Sequence, residues 1–448
     1  MKLLKVSVPN FRNLKNVELT FEPSLKPAVF PIGSDNGGGK STLLQLIFVL
    51  LTCSLDEAKF QYLENFIIAS NFAKYFQNNE ATESTIASVE FLYNQKNIKV
   101  DFDIISDIEM KSSYKDIDEY LKILNLNKDL QKKLTVLETQ HTEYYTEWEF
   151  IQKSNFIDQM YEDVIEEVEQ ETSYYKTRKE ELKNKIYNLN SQLTSLEKNK
   201  QKQGIISCNV MQNNRSLLLI SKTNMDDYDV AKKLLEYVSN HIYLATPSTQ
   251  PYLFMDKESR QDLLKDFDKY QQNITKLRKN LSNIYVHNQL AVTEILHAFK
   301  QAVNNDFKTA ISQNNLEYGT ALKELVEDFH DFLGNDKYIF PSSDMTSIIV
   351  RRKISDNEFI ELEPEELSHG ELKRLGLYAW IKYNNINDSI ILIDEIENGL
   401  HPDWQYNIVN ELVDWGDNQY LLATHSFYLC EALTPGHVKI IKPKLSNP

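Results

Sequence analysis

Ala28-Val29-Phe30-Pro31-Ile32-Gly33-Ser34-Asp35-Asn36-Gly37-Gly38-Gly39-Lys40-Ser41-Thr42, running into the apolar stretch Leu43 to Leu51, is the segment whose reading decides this chain. A short buried strand enters a glycine-rich loop, and the loop opens an apolar helix. Glycines let successive backbone N–H groups turn toward one anion, and the helix N-terminus adds its positive end. Asn36, Gly37, Gly38, Gly39, Lys40, Ser41 and Thr42 are therefore a candidate phosphate cradle. Lys40 has the charge for the β- and γ-phosphates of a nucleotide, and Ser41 has the hydroxyl for Mg²⁺. The entry departs from the usual spacing, with Ser34 where a glycine is expected and Gly33 one residue early.

A second stretch, Ile390-Ile391-Leu392-Ile393-Asp394-Glu395, is an apolar strand ending in two carboxylates. The last residues of a buried strand face the mouth of an open α/β sheet, where ligands bind. Asp394 suits a metal contact and Glu395 suits an attacking water. Alone, such a strand is more often just the start of a loop. Leu367-Ser368-His369-Gly370-Glu371 precedes a helix expected from Leu372 to Tyr383, and alone would be an ordinary cap with Ser368 and Glu371 as a capping box. Thr424-His425-Ser426 follows another strand, and a lone histidine is usually structural.

The 448 residues hold 42% hydrophobic and 25% charged residues, which excludes wholesale disorder. The formal net charge of −16 argues against coating nucleic acid with the whole surface. Three scattered cysteines without a C-x-x-C pair argue against a disulfide scaffold or a four-cysteine zinc site, and a cytoplasmic location is the expectation. The longest apolar run, interrupted by Gln45, is about half of what a bilayer span needs. Strands are expected through residues 1–32, with a turn at Asn10-Phe11-Arg12-Asn13, and in a hairpin around Asn94-Gln95-Lys96-Asn97. From residue 113 the chain turns long, polar and free of glycine. One heptad row there holds Tyr161, Val168, Tyr175, Leu182, Leu189 and Leu196, and the other holds Ile165, Thr172, Lys179, Ile186 and Leu193. A second repeat runs Leu263, Phe267, Tyr270, Ile274, Leu277, Leu281, Ile284 and predicts a second helical arm. Strands are expected again at Ser216 to Ile220, Ile242 to Ala245, Ser347 to Val350 and Phe359 to Leu362.

Taken in order, these elements resemble the ATP-binding-cassette ATPases of the SMC, RecF and OLD group, with Walker A at 36–42, signature at 367–371, Walker B at 390–395, D-loop at 398–402 and a switch histidine at His425. The resemblance implies an α/β P-loop head assembled from both ends of the chain, with inserted helical or coiled-coil arms. The expected divisions are 1–112 and 336–448 for the two head halves, 113–204 for an insertion arm, 205–257 for head strands and the Q-loop, and 258–335 for a helical lobe or second arm. It implies ATP and Mg²⁺ as ligands, Glu395 and His425 in catalysis, and Arg12, Ser368 and Gly370 in nucleotide contact. Its Q-loop glutamine matches Gln250 in Thr249-Gln250-Pro251-Tyr252, with Gln61 and Gln77 as alternatives, and would join Ser41 and Asp394 at the metal. It further implies a homodimer, or a higher homo-oligomer, that sandwiches two ATP molecules.

Within the group, transporter cassettes lack such arms, zinc-hook ATPases need a C-x-x-C, and OLD nucleases carry a further domain for which Ser426 to Pro448 is too short. One reading is then the ATPase sensor or scaffold of an antiphage system, similar to the ATPase subunit of Septu-type or retron-linked pairs, with a nuclease or toxin partner supplied in trans. The alternative is a RecF- or SMC-like DNA-repair ATPase, with DNA held on Lys176, Arg178, Lys179, Lys183, Lys185 and Arg351-Arg352-Lys353.

Overall fold

The computed structural model describes residues 1–68, 83–153, 162–211, 217–248, 250–287, 290–312, 319–334, 336–355 and 358–442. Tyr161, Gln77, Thr249 and Ser216, named above, lie outside the described residues. Among those residues no helix is long and apolar enough to cross a membrane.

Strand Val29–Gly33 is short and buried through Ile32, as a strand covered on both faces must be. It pairs in parallel with Gln419–Ala423, which pairs with Ile390–Asp394, then Ile242–Thr246 and Ile284–Val286. Lys439–Ile440 closes the other edge to make six strands, all parallel. Ala423 lies opposite both Ile32 and Asp394, so strands from the two ends of the chain finish level at one edge. Helix Lys40–Cys53 is apolar nearly all round and enclosed accordingly, packing on the strands Ile242–Thr246, Ile390–Asp394 and Gln419–Ala423.

A second sheet of six strands is antiparallel, in the order Leu14–Thr20, Lys2–Phe11, Glu83–Tyr93, Lys96–Ser106, Leu217–Lys222, Ile205–Val210. Its central hairpin turns on Asn94 and Gln95 alone, at φ 49° and 62°, the left-handed pair a two-residue hairpin requires. The Gln419 amide joins the two sheets, its Oε1 accepting from Leu3 N at 2.7 Å and its Nε2 donating to Leu3 O at 2.9 Å. A three-stranded sheet, Lys337–Pro341, Ile348–Ser355 and Glu358–Leu362, leads into the helix His369–Tyr378.

The insertion is a helix pair, Lys115–Lys153 and Glu162–Lys202, packed antiparallel. The second helix has 41 residues, about 60 Å at ~1.5 Å per residue. Leu182 and Leu196 are buried on its heptad face, and Tyr175, Ile186, Leu189 and Leu193 are half-buried. Lys179, which interrupts the apolar row, reaches across to Glu138 at 2.8 Å, so the interruption is a bridge between the helices.

The second repeat makes no comparable arm. It is divided between helices Lys257–Lys265 and Phe267–Asn280, and Ile284 already belongs to the core sheet. Asp266 breaks it: its backbone is extended (φ −153°, ψ 90°), and its carboxylate caps the second helix by accepting from Lys269 N at 3.1 Å. Ile274, Leu277 and Leu281 are buried as the apolar face of a helix lying on the head. The helix expected from Leu372 starts earlier, at His369, and its continuation Ala379–Tyr383 widens to a π turn.

Candidate active site

The glycines of the loop have separate reasons. Gly37 and Gly39 sit at φ 75° and 95°, where a side chain is strained. A Cβ on Gly39 would also lie 2.6 Å from Leu14 Cδ2, and one on Gly38 would lie 2.4 Å from Ser34 Oγ. Ser34 therefore occupies space the loop would otherwise leave open. It accepts from Lys40 Nζ at 3.2 Å and donates to Asp35 O at 2.8 Å. Asn13 Nδ2 donates to Gly37 O at 3.1 Å, so the first hairpin braces the loop from below through Asn13 and Leu14.

Lys40 is buried at 7% exposure, and its ammonium donates to His425 Nε2 at 2.8 Å, which puts the neutral imidazole proton on Nδ1. Burial lowers the Lys40 pKa, while Asp394, Glu397, Glu395 and Asp35 pull it back up. Asp394 is 2% exposed. Burial raises its pKa, hydrogen bonds from Ser41 and Gln250 lower it, and the charges of Glu395 and Glu397 raise it again. Gln250 Nε2 donates to Asp394 Oδ2 at 2.6 Å, and Gln250 Oε1 accepts from Thr246 Oγ1 at 2.6 Å and Gln45 Nε2 at 2.7 Å.

Glu395 follows in a left-handed turn at φ 52°. Its N–H donates to Ala423 O at 3.0 Å and its carboxylate accepts from Asn398 Nδ2 at 2.6 Å. His425 is exposed, and its backbone N–H donates to Glu397 Oε1 at 2.7 Å. Lys40, Ser41, Gln250, Asp394 and His425 thus meet at one edge of the parallel sheet, with Glu395 on the next residue after Asp394. Thr42 is half-buried in the first helical turn and Asn36 is exposed at the loop tip.

Ser368, Gly370 and Arg12 lie differently. Ser368 is exposed and caps its own helix, accepting from Glu371 N at 3.2 Å while Glu371 Oε2 accepts from Ser368 N at 2.9 Å. Gly370 packs on the turn after Glu395, where a Cβ would meet Gly399 O at 2.5 Å and Trp404 at 3.0 Å. Arg12 lies over the Phe66 ring at 4.1 Å and donates to Phe66 O at 2.8 Å, tying the first hairpin to helix Glu57–Ile68. The alternative glutamine Gln61 donates to Ala58 O at 3.3 Å within that same helix.

Sequence reasoning missed Gln45, Thr246, Glu397, Lys373 and His287. Gln45 had a signal, since a lone amide inside an apolar run needs a buried partner, and Gln250 is that partner. Lys373 Nζ donates to Glu395 O at 2.6 Å, and His287 Nε2 donates to Asp394 O at 3.1 Å. Both come from elements whose place beside Asp394 depends on the tertiary fold.

The donor set suits Mg²⁺. Ser41 and Asp394 offer hard oxygens, whereas Gln250, expected at the metal, turns its Nε2 toward Asp394 and its Oε1 away to Thr246 and Gln45, so here it orients the carboxylate. Among the described residues no cluster of three His, Cys, Asp or Glu side chains forms an all-protein cage. Mg²⁺ commonly takes one carboxylate, waters and substrate phosphates.

Two curated relatives match short parts of the chain. "Retron Ec83 probable ATPase" of Escherichia coli is 34% identical over 101 residues, 20% of this chain and 19% of that protein. "Retron Vc95 probable ATPase" of Vibrio cholerae serotype O1 biovar El Tor is 45% identical over 53 residues, 12% of this chain and 10% of that protein. The matches therefore span a fifth or less of those relatives' lengths. Among solved structures, the Smc head domain with an extended coiled coil bound to the C-terminal domain of ScpA, from Pyrococcus furiosus, aligns over 96% of this chain and 91% of its own at 11% identity and TM-score 0.32. The SmcHead bound to the C-winged helix domain of ScpA aligns over 97% and 92% at 9% identity and TM-score 0.35. The family model described as an AAA ATPase domain matches residues 1–430, taking in both the loop at Lys40 and the strand end at Asp394, and this chain belongs to that family.

Proposed function

We propose that this chain hydrolyses ATP to ADP and phosphate in a Mg²⁺-dependent reaction. The observation that carries the reading is the convergence on one sheet edge of Lys40 with His425 and of Ser41 with Asp394 and Gln250. Loop N–H groups and Lys40 bind the β- and γ-phosphates. Ser41 and Asp394 would hold Mg²⁺, with Gln250 Nε2 fixing the Asp394 carboxylate, and the ion would draw negative charge from the phosphate oxygens. Glu395 orients the attacking water and takes its proton, with Asn398 Nδ2 fixing one carboxylate oxygen. His425 gives up Lys40 to the γ-phosphate and senses it through Nε2. Phosphate release from the purified chain tests this: Lys40→Ala should abolish it, and Glu395→Gln should lower it at least about a hundredfold. Release unchanged in both variants would refute the reading.

The chain acts as a sensor or scaffold subunit of an antiphage system, working as a homodimer and holding a nuclease or toxin partner in trans. The names of the two curated relatives support this, and the exposed Ser368 and His369 leave the signature surface free for a second head. The DNA-repair alternative wants free basic residues. Four of its candidates are paired: Arg178 with Glu181, Lys179 with Glu138, Arg351 with Glu361 and Arg352 with Asp336. Cells carrying the complete locus should lose phage protection with Lys40→Ala. Protection that survives, or ATPase activity stimulated by duplex DNA with a steep salt dependence, would favour the alternative.

A further inference from the structure

Lys373 is a charged side chain in a place where charge is costly. It lies on the helix His369–Tyr378 at 3% exposure, and burial lowers its pKa to about 8. An ammonium is retained in such a place only when its N–H groups are used. Here Nζ donates to Glu395 O at 2.6 Å and to Asn398 O at 3.3 Å, with the Glu397, Glu395 and Asp394 charges facing it.

The two carbonyls bracket the turn that carries the proposed base. Glu395 stands at φ 52°, a conformation non-glycine residues hold only when their surroundings impose it. Three contacts impose it: Glu395 N–H to Ala423 O, Lys373 to Glu395 O, and Asn398 Nδ2 to the Glu395 carboxylate. Lys373 grips both Glu395 and Asn398, so it sets the peptide planes from which the base and its orienting amide project. The same helix opens at Ser368, which makes Lys373 a direct tie between the signature segment and the base of the same chain.

We propose that Lys373 is a positioning residue for ATP hydrolysis: by clamping the carbonyls of Glu395 and Asn398 it holds the Glu395 carboxylate in its working orientation. This rests on the reading of Glu395 as the base. Displacing a reacting group by about 1 Å costs roughly a hundredfold in rate, whereas the phosphate contacts at Lys40 are left alone.

The test measures kcat and KM for phosphate release, with equilibrium binding of a fluorescent ATP analogue, on the full chain carrying Lys373→Met, Lys373→Arg and the double change Lys373→Met/Glu395→Gln. Lys373→Met should lower kcat about ten- to a hundredfold while analogue affinity changes less than about threefold. Lys373→Arg, which keeps donors for both carbonyls, should recover most of the loss. In the double variant the losses should not multiply, because both changes disable one unit. A kcat for Lys373→Met within twofold of wild type, or losses that multiply with Glu395→Gln, would overturn the proposal. If Lys373→Met fails to bind nucleotide, Lys373→Gln, which keeps one donor, takes its place under the same criteria. Failure of the underlying reading shows separately, as Glu395→Gln alone retaining full activity.

Discussion

Gly39→Ala offers a graded test of the phosphate loop. At φ 95° a side chain costs about 1–2 kcal/mol from backbone crowding alone. The new Cβ would also lie 2.6 Å from Leu14 Cδ2 and 3.2 Å from Leu14 Cγ, against about 3.5–4.0 Å for relaxed carbon contacts. Leu14 is fully buried, so shifting its side chain disturbs the packing around it, and overpacking adds about 1–3 kcal/mol. The loop relieves this most readily by rotating its own peptides, which turns N–H groups off the anion. If 2–3 kcal/mol of the strain appears in binding, affinity for Mg·ATP falls roughly 30- to 140-fold. Leu14→Ala removes the overlap and leaves the backbone part, so the same glycine change made in that background should cost only about 1–2 kcal/mol. Gly37→Ala is the control: at φ 75° a Cβ would meet nothing within 4 Å, so it carries only the backbone cost. Equilibrium titration with a fluorescent ATP analogue and Mg²⁺ reads wild type, Gly39→Ala, Leu14→Ala, the double variant and Gly37→Ala. Affinity of Gly39→Ala within threefold of wild type would show that the left-handed backbone does not confine the loop, and an undiminished loss in the Leu14→Ala background would show that Leu14 does not.

Three further outcomes are expected. Gln419→Ala strands Leu3 N–H and C=O between the two sheets, and at about 1–3 kcal/mol for each unsatisfied buried group it should lower stability by about 2–6 kcal/mol in urea denaturation. Burial of Lys373 lowers its pKa from 10.5 to about 8, so between those values the unfolded chain binds a proton that the folded chain has released. The burden is full below pH 8 and lifts as pH rises toward 10.5, so stability should rise by up to about 3 kcal/mol across that window; wild type minus Lys373→Met in thermal melts reads this slope, and a difference that falls with pH contradicts it. Gln250→Ala frees the Asp394 carboxylate it orients, so it should leave Mg²⁺-free nucleotide binding unchanged and raise the Mg²⁺ concentration needed for half-maximal phosphate release about tenfold, measured by Mg²⁺ titration after chelation; an unchanged Mg²⁺ requirement contradicts that orienting role.

What could be read in the sequence was whatever physics is local. The loop at 36–42 declares itself because glycine, lysine and hydroxyl act within one turn, whereas Asp394 was legible only beside that loop, since an apolar strand ending in a carboxylate is by itself more often the start of a loop. Ser34 looked like a defect, and the structure shows its hydroxyl filling the space against Gly38 and touching Lys40. The second repeat, Leu263 to Ile284, misled because spacings of four and three suit any amphipathic helix. Only Asp266 marked the break, and an aspartate inside a polar helical stretch is ambiguous until its cap is seen. Lys373 and His287 were illegible for a deeper reason. Their partners are backbone carbonyls of Asp394, Glu395 and Asn398, which carry no side-chain signature and are met only after the chain has folded.

The most direct test is a determined structure of this chain with Mg²⁺ and a non-hydrolysable ATP analogue. The triphosphate is expected in the cradle of residues 36–42, with Lys40 against its terminal phosphates and the metal between Ser41 and Asp394. Nucleotide bound elsewhere, or a triphosphate in the loop with its metal remote from Asp394, would contradict it.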